Sequence, residues 1–418
     1  MPDIVVVGAG PAGSTAAREL ALDGFDVAVL EEHAEPGLPV HCTGIVGEEV
    51  FTSFDLPREL VLKPLQRFRV FSPALDRHFD LDARPGTSTA AYILDRALLD
   101  RTLAERAREA GARFLFGARV RGVHDARDGV TLHADLDGRP VTFRARLCVL
   151  ACGAMSNLPA RSGIVPPRTY HRTVQATWAM PDVHEAEIFL GRTVAAGSFG
   201  YAVSLGNGTA KVGVINRGAA RTGYRRLVEH ALGPRALHPL TRDTYRRIPM
   251  GACRRSVNGR ILAVGDAAGQ TKTTTGGGIY YAMTCARLLA RTVARSRRGA
   301  DLRVPELTTY DRRWRQLLGL EVQAGLWMRG LFEHVTDEDV DALVALAGSP
   351  AVADLISREW SFDFHRRLLL GLARLPEVRG AVLSAAMRRV RGRRFYDYLV
   401  SVVDGRSLAG TAVEAPPG

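Results

Sequence analysis

The chain has 418 residues and a formal net charge of +12. That length suits two or three structural units around one large core, and no run of about 18 apolar residues offers a membrane-spanning helix. The charge comes from scattered arginines, with lysine only at Lys63, Lys211 and Lys272. No basic recognition helix, aromatic stacking platform or zinc module accompanies it, so no nucleic-acid partner is expected.

Asp3-Ile4-Val5-Val6-Val7 reads as a buried strand, and Gly8-Ala9-Gly10-Pro11-Ala12-Gly13 follows at once. A helical pattern runs from Ser14 to Leu22, and a second strand, Val27 to Leu30, ends in Glu31. Strand, three spaced glycines, helix, strand and acid make a dinucleotide fingerprint. Gly8 permits the tight turn, Gly10 lets the backbone approach a pyrophosphate, and Gly13 lets helix and strand pack closely. The N–H groups at the helix start hold phosphates, and Glu31 can accept hydrogen bonds from a ribose. The fingerprint starts at residue 3, which leaves no room for a secretory signal. Five cysteines, at 42, 148, 152, 253 and 285, have no metal-type spacing. A reduced, cytosolic protein is expected, without a metal site.

A loop from Glu35 to Gly44 comes next and carries Cys42 and Thr43. Arg96 opens a helix whose apolar stripe is Leu98, Leu99, Leu103 and Ala104. A β-meander over 120–145 turns at Asp128-Gly129 and Asp137-Gly138. The buried strand Leu147 to Ala151 then leads into Cys152-Gly153-Ala154-Met155-Ser156. From about Pro166 to Arg247 the pattern changes to short alternating strands, with a hairpin across Gly206-Asn207-Gly208. The chain returns with the strand Ile261 to Val264, then Gly265-Asp266-Ala267-Ala268-Gly269, a Thr/Gly stretch ending at Gly278, and a helix beginning at Ile279. Beyond about Leu302 it reads as helical to near residue 400, with Thr336 as an N-cap and a disordered tail from Gly410.

The expected fold class is α/β (α+β overall). A Rossmann-like nucleotide domain, 1–165 and 248–300, holds an inserted antiparallel sheet for substrate, 166–247, and is followed by a helical region, 301–418. Arginines from Arg366 to Arg394 alternate with leucines in a basic amphipathic stretch broken near Pro376. It reads either as a dock for anionic lipid at a membrane surface or as a solvated helix face packed on the nucleotide domain.

These motifs together resemble a known group. The GAGPAG turn with Glu31, the V-G-D-A-A-G at 264–269 and the A-x-G-x-x-S at 151–156 resemble FAD-dependent oxidoreductases of the p-hydroxybenzoate hydroxylase-like fold. Within that group the chain is similar to the geranylgeranyl reductase family, through Gly37 to Gly44, Gly200-Tyr201-Ala202, and Thr274 to Tyr281. C-terminal positions such as Trp314, Gly325 and Arg329 also match.

The resemblance implies non-covalent FAD held by Gly8, Gly10, Ala12, Gly13, Glu31, Cys42, Thr43, Gly44, Arg96, Val120, Asp266, Gly277, Gly278 and Ile279. Asp266 would meet ribityl hydroxyls, and the helix starting at Ile279 would stabilise negative charge on the reduced flavin. The implied reaction saturates C=C bonds of a long isoprenoid chain. Cys42 would give a proton, and Tyr201 would shape the pocket or assist proton supply. Phe189, Phe199 and Tyr201 would line the cavity. The electron donor, a protein or a nicotinamide, is left open.

Two departures stand out. Gly200-Tyr201-Ala202-Val203-Ser204-Leu205 lacks the tryptophan and proline common after Gly-Tyr-Ala, and Cys152 stands where related hydroxylases have an aspartate. The second leans away from an NADPH-driven hydroxylase. A monooxygenase or dehydrogenase acting on a natural product is the alternative, and a non-enzymatic flavin-binding protein the third reading.

Overall fold

The computed structural model describes residues 1–83, 89–126, 128–298, 301–302 and 304–387. The tail and the arginines from Arg388 onward lie outside them. Ile4–Val7 is the centre of a six-stranded sheet. It pairs in parallel with Val27–Leu30 on one side and Leu147–Leu150 on the other. Arg113–Leu115 and Ile261–Ala263 extend the sheet in parallel, and Val257–Asn258 closes one edge antiparallel. The inner strands are apolar throughout because both faces are covered.

The first helix is Pro11–Leu22, three residues longer at its start than its periodicity suggests. Pro11 sits at the position where a missing N–H costs nothing. Ala16, Ala17 and Leu20 pack against Ala282, Cys285, Ala286 and Leu289 of the helix Ile279–Ser296. Small residues on both faces let the two backbones come close beneath the sheet. The meander forms one three-stranded antiparallel sheet, Ala118–Ala126, Gly129–Leu136 and Arg139–Ala145.

The second large sheet has eight strands. Its centre is the antiparallel set Thr169–Ala179, Thr209–Asn216, Phe199–Gly206 and Ala186–Phe189. Two strands from far earlier in the chain, Arg67–Phe71 and His78–Asp82, extend it at one end, and His238–Pro239 and Thr244–Met250 pair with Thr169–Ala179 at the other. Arg67–Phe71 joins Ala186–Phe189 in parallel, so the sheet is mixed rather than wholly antiparallel.

The C-terminal helices wrap around both sheets. The long helix Thr309–His334 buries Tyr310, Trp314 and Leu318 in the core of the first sheet. The Trp314 indole N–H donates to Ser256 Oγ at 3.0 Å. The Tyr310 hydroxyl accepts from Gln270 at 2.8 Å and donates to the Ala263 carbonyl at 3.2 Å. Gln270 in turn accepts the Gly265 N–H at 2.8 Å. This buried network fixes the turn that carries Asp266. Thr336 caps the next helix, Asp337–Leu346, in a reciprocal capping box with Asp339. Among the described residues no single helix is long and apolar enough to cross a membrane, though the bent pair Asp337–Leu346 and Pro350–Glu359 passes the same test jointly.

Candidate active site

A cavity of about 1450 Å³ runs between the two sheets. Four parallel strands of the first sheet end at it, through Val7, Leu30, Ala151 and Val264. That is the crevice where open α/β sheets bind ligands. The two outer glycines of the turn serve packing. A Cβ on Gly8 would sit 2.5 Å from the Ala151 carbonyl oxygen, and one on Gly13 would sit 1.9 Å from the Gly8 carbonyl oxygen. A Cβ on Gly10 would meet nothing within 4 Å, because it would project into the cavity. Glu31 is 8% exposed. It accepts the Ala9 N–H at 2.8 Å through Oε2, and its Oε1 lies 2.6 Å from His33 Nδ1. The acid thereby ties the end of the second strand to the glycine turn.

The middle of the cavity carries Asp266, Arg96 and Cys42. Burial pushes the Asp266 carboxyl up to about 6, with Arg96 pulling the other way. Arg96 binds both Asp100 oxygens at 3.0 and 3.1 Å, and its buried Nε has no partner. Cys42 Sγ accepts the Gly44 N–H at 3.4 Å and lies beside the Arg96 guanidinium. Lys211 Nζ, on the cavity-facing side of the second sheet, donates to the Cys42 carbonyl at 3.0 Å. His41, next in the loop, bonds Arg246. Burial and that guanidinium push His41 down to about 4, so it is neutral near pH 7.

Tyr201 is 6% exposed and donates to Gln175 Oε1 at 2.8 Å. Burial holds its hydroxyl well above the usual tyrosine range. Gly213 lies opposite, where a Cβ would be 2.3 Å from the Tyr201 oxygen. Only glycine leaves room there for the ring. Phe199 also reaches the cavity, but Phe189 does not. Strand alternation turns Phe189 to the other face, where it stacks on Phe71 with centroids 5.2 Å apart. Its neighbours Ile188 and Leu190 line the cavity in its place. Of the other expected contacts, Ala12, Thr43, Val120, Gly277, Gly278 and Ile279 border the cavity, whereas Gly13 and Gly44 stand behind it.

The far end is apolar, with Phe68, Val70, Leu81, Val203, Phe332, Trp360, Phe362 and Leu368. Trp360, Phe362 and Leu368 belong to a C-terminal strap clamped by Lys272. Its Nζ meets Asp363 Oδ1 at 2.7 Å and the Phe362 carbonyl at 2.8 Å. Leu368 and Leu369 of the helix Arg366–Arg374 point into the cavity. This described part of the basic stretch therefore turns Leu368 and Leu369 to the interior. The strap, Lys211, Gln175 and Arg329 were not assigned roles from sequence. Each reaches the site by long-range pairing, and the signal for Arg329 was one cation inside the apolar helical run Leu326-Trp327-Met328 to Leu331-Phe332.

The cavity suits a flavin dinucleotide on its own features: a cradle that a Gly10 side chain would fill, a buried carboxyl without a cation bonded to it, and the orphaned Nε of Arg96 and Arg247. A two-sheet fold with this crevice is the architecture an FAD-dependent oxidoreductase needs. Residues 1–201 match the FAD binding domain family. The chain is 30% identical over 364 residues to digeranylgeranylglycerophospholipid reductase 2 of Methanothermobacter thermautotrophicus, covering 82% of this chain and 90% of that one. It is 29% identical over 364 residues to the digeranylgeranylglycerophospholipid reductase of Methanosarcina acetivorans, covering 82% and 87%. A geranylgeranyl bacteriochlorophyll reductase-like protein from Thermoplasma acidophilum has the same fold, with a TM-score of 0.81, 21% identity, and coverage of 92% and 99%. The chain belongs to the digeranylgeranylglycerophospholipid reductase family.

Proposed function

We propose that this enzyme saturates the carbon–carbon double bonds of long isoprenoid chains carried on a lipid. The observation that carries the reading is one continuous cavity. It begins at the glycine turn, passes Cys42 and Tyr201, and ends in an apolar chamber. FAD, when bound, supplies a hydride from its reduced form. Gly8 to Gly13, Glu31 and Val120 would hold its nucleotide end, Asp266 and Arg96 its middle, and Thr275 to Ile279 its ring end.

The chain's own residues supply the rest. The strap and the second sheet orient an apolar chain and exclude water. The Cys42 thiol gives its proton to one carbon of the double bond as hydride reaches the other, so two hydrogens are added per bond. The thiolate left behind lies beside Arg96, with Lys211 holding its loop, and takes a proton back from solvent. Tyr201 has its O–H committed to Gln175, which suits a wall residue rather than the acid. Electrons come from a protein or nicotinamide donor outside the chain.

The test is anaerobic turnover of dithionite-reduced enzyme with a geranylgeranyl lipid. Products heavier by two hydrogens per bond are expected. An oxygenated product that forms only in air would move the enzyme to the monooxygenases. The arginines Arg366, Arg367, Arg374 and Arg379 are further proposed to hold the enzyme at anionic bilayers while its leucines face inward. Cosedimentation with anionic vesicles should fade as salt shortens the screening length, and equal binding to neutral vesicles would remove this part.

A further inference from the structure

Arg329 is 4% exposed, yet among the described residues no carboxylate forms an ion pair with it, and Glu333 acts on it only at a distance. Every group it bonds is neutral. Its Nε donates to the Thr273 carbonyl, and Nη2 donates to the Thr274 carbonyl at 2.7 Å. Its Nη1 meets the Gly197 carbonyl and Ser198 Oγ, both at 3.1 Å, with His171 Nδ1 at 3.4 Å. Burying a cation without a counter-charge costs several kcal/mol, and carbonyl dipoles offset only part of that. The one charge that favours its cationic form is Glu333, and burial outweighs it. Lys272 is spent on Asp363 and Arg96 on Asp100. Burial pushes both His171 and His365 down to about 3, so both are neutral. Glu333, one turn along the same helix, is engaged by Arg217 at the surface. Asp266, beside Gly278, is raised to about 6 by burial, and the cation that acts on it is Arg96, not Arg329.

The guanidinium borders the cavity and grips the stretch that leads into Thr275-Gly276-Gly277-Gly278. One turn earlier on its helix, a Cβ on Gly325 would sit 2.3 Å from Thr273 Oγ1 and 2.9 Å from the Thr274 nitrogen. The helix thus packs on the loop at backbone distance, and Arg329 locks that contact. A trans peptide whose carbonyl faces Arg329 aims its N–H the other way, so the Thr275 N–H points away from the guanidinium.

We propose that Arg329 is the buried counter-charge for reduced FAD: a positioning residue that holds the Thr274–Gly278 loop and leaves one positive charge beside it for the anion that forms on reduction. This rests on the reading that the loop faces the flavin ring. A nearby positive charge favours the reduced form over the oxidised one and so raises the reduction potential.

The test uses the FAD-loaded enzyme and two probes other than turnover: the two-electron midpoint potential against reference dyes, and the dissociation constant for sulfite, which adds to oxidised flavin as an anion. Arg329→Gln should lower the reduced-over-oxidised affinity ratio at least tenfold, a drop of about 30 mV, and weaken sulfite binding about as much. Arg329→Lys keeps the charge while losing the fork, and should stay within about threefold of wild type. Ser198→Asp leaves the arginine in place and neutralises it through a neighbour 3.1 Å away, so it should reproduce the Gln result. If Arg329→Gln fails to fold, Ser198→Asp decides alone. A structural tether only would lower the melting temperature in all three variants with the potential unmoved, and would overturn the proposal. Wild-type protein that takes up no FAD would overturn the cofactor reading beneath it, and the proposal with it.

Discussion

The two walls of the cavity are built in opposite ways. The nucleotide wall is built mainly from one contiguous stretch, Ile4 to Glu31, joined by Ala151 and Val264, and its contacts are backbone against backbone, with one acid stapling the turn. The opposite wall gathers Cys42, Arg96, Tyr201, Lys211, Thr274, Arg329 and the strap near Trp360 from across the chain. Its contacts are side-chain hydrogen bonds and buried charges. The first wall grips a ligand by shape. The second sets the proton and charge environment in which chemistry takes place.

That contrast can be broken most forcefully at Cys42. If the far wall performs the chemistry, Cys42→Ser should keep its FAD and lose reduction about 10²- to 10⁴-fold, the usual worth of a positioned acid. Turnover of the chemically reduced variant within about twofold of wild type would make Cys42 structural and leave that wall without its acid.

Within the near wall, the glycines sort by what a methyl group would touch. Gly13→Ala drives a Cβ into the Gly8 carbonyl and should destabilise the fold by about 1–3 kcal/mol or more. Gly10→Ala meets nothing in the protein, so its apoprotein should melt with wild type while FAD binding falls sharply. Equal FAD affinity in Gly10→Ala and wild type, by fluorescence titration, would mean the turn does not cradle the pyrophosphate.

The smallest effect tests the seam between the walls. The folded Asp266 carboxyl is raised to about 6 from an ordinary value near 3.8, chiefly by burial. Folding therefore favours its protonated form, and the stability it contributes is present below about pH 4 and lost as pH rises through 6. In the apoprotein, Asp266→Asn should gain stability over wild type as pH climbs across that window, with the gap closed in acid. Denaturant melts at pH 4 and pH 7 check this, and a constant gap would show that burial does not govern this carboxyl.

The same contrast explains what the sequence disclosed. The near wall was legible because strand, turn, helix and acid lie within 31 residues and each uses a local rule. The C-terminal helix cap was legible for the same reason. The second sheet was read only as the antiparallel strands within 166–247. Nothing local announces that Arg67–Phe71 pairs in parallel with Ala186–Phe189. Phe189 was expected to line the cavity, but the strand's register, fixed by distant partners, turns it to the opposite core. Tyr201 borders the cavity, while its partner Gln175 and the glycine that admits it, Gly213, emerge only from cross-strand pairing. Arg329 matched the resembled family's C-terminal positions, but nothing local gave it a role.

The strap has a consequence for the birth of the protein. Its aromatic residues, Trp360 and Phe362, are translated more than 300 residues after the glycine turn. At ordinary rates of about 5–20 residues per second, that interval is on the order of tens of seconds. The turn that receives the cofactor leaves the ribosome long before the wall that covers it, so a nascent chain presents an open doorway. The lock between Lys272 and Asp363 can turn only once residue 363 has left the ribosome.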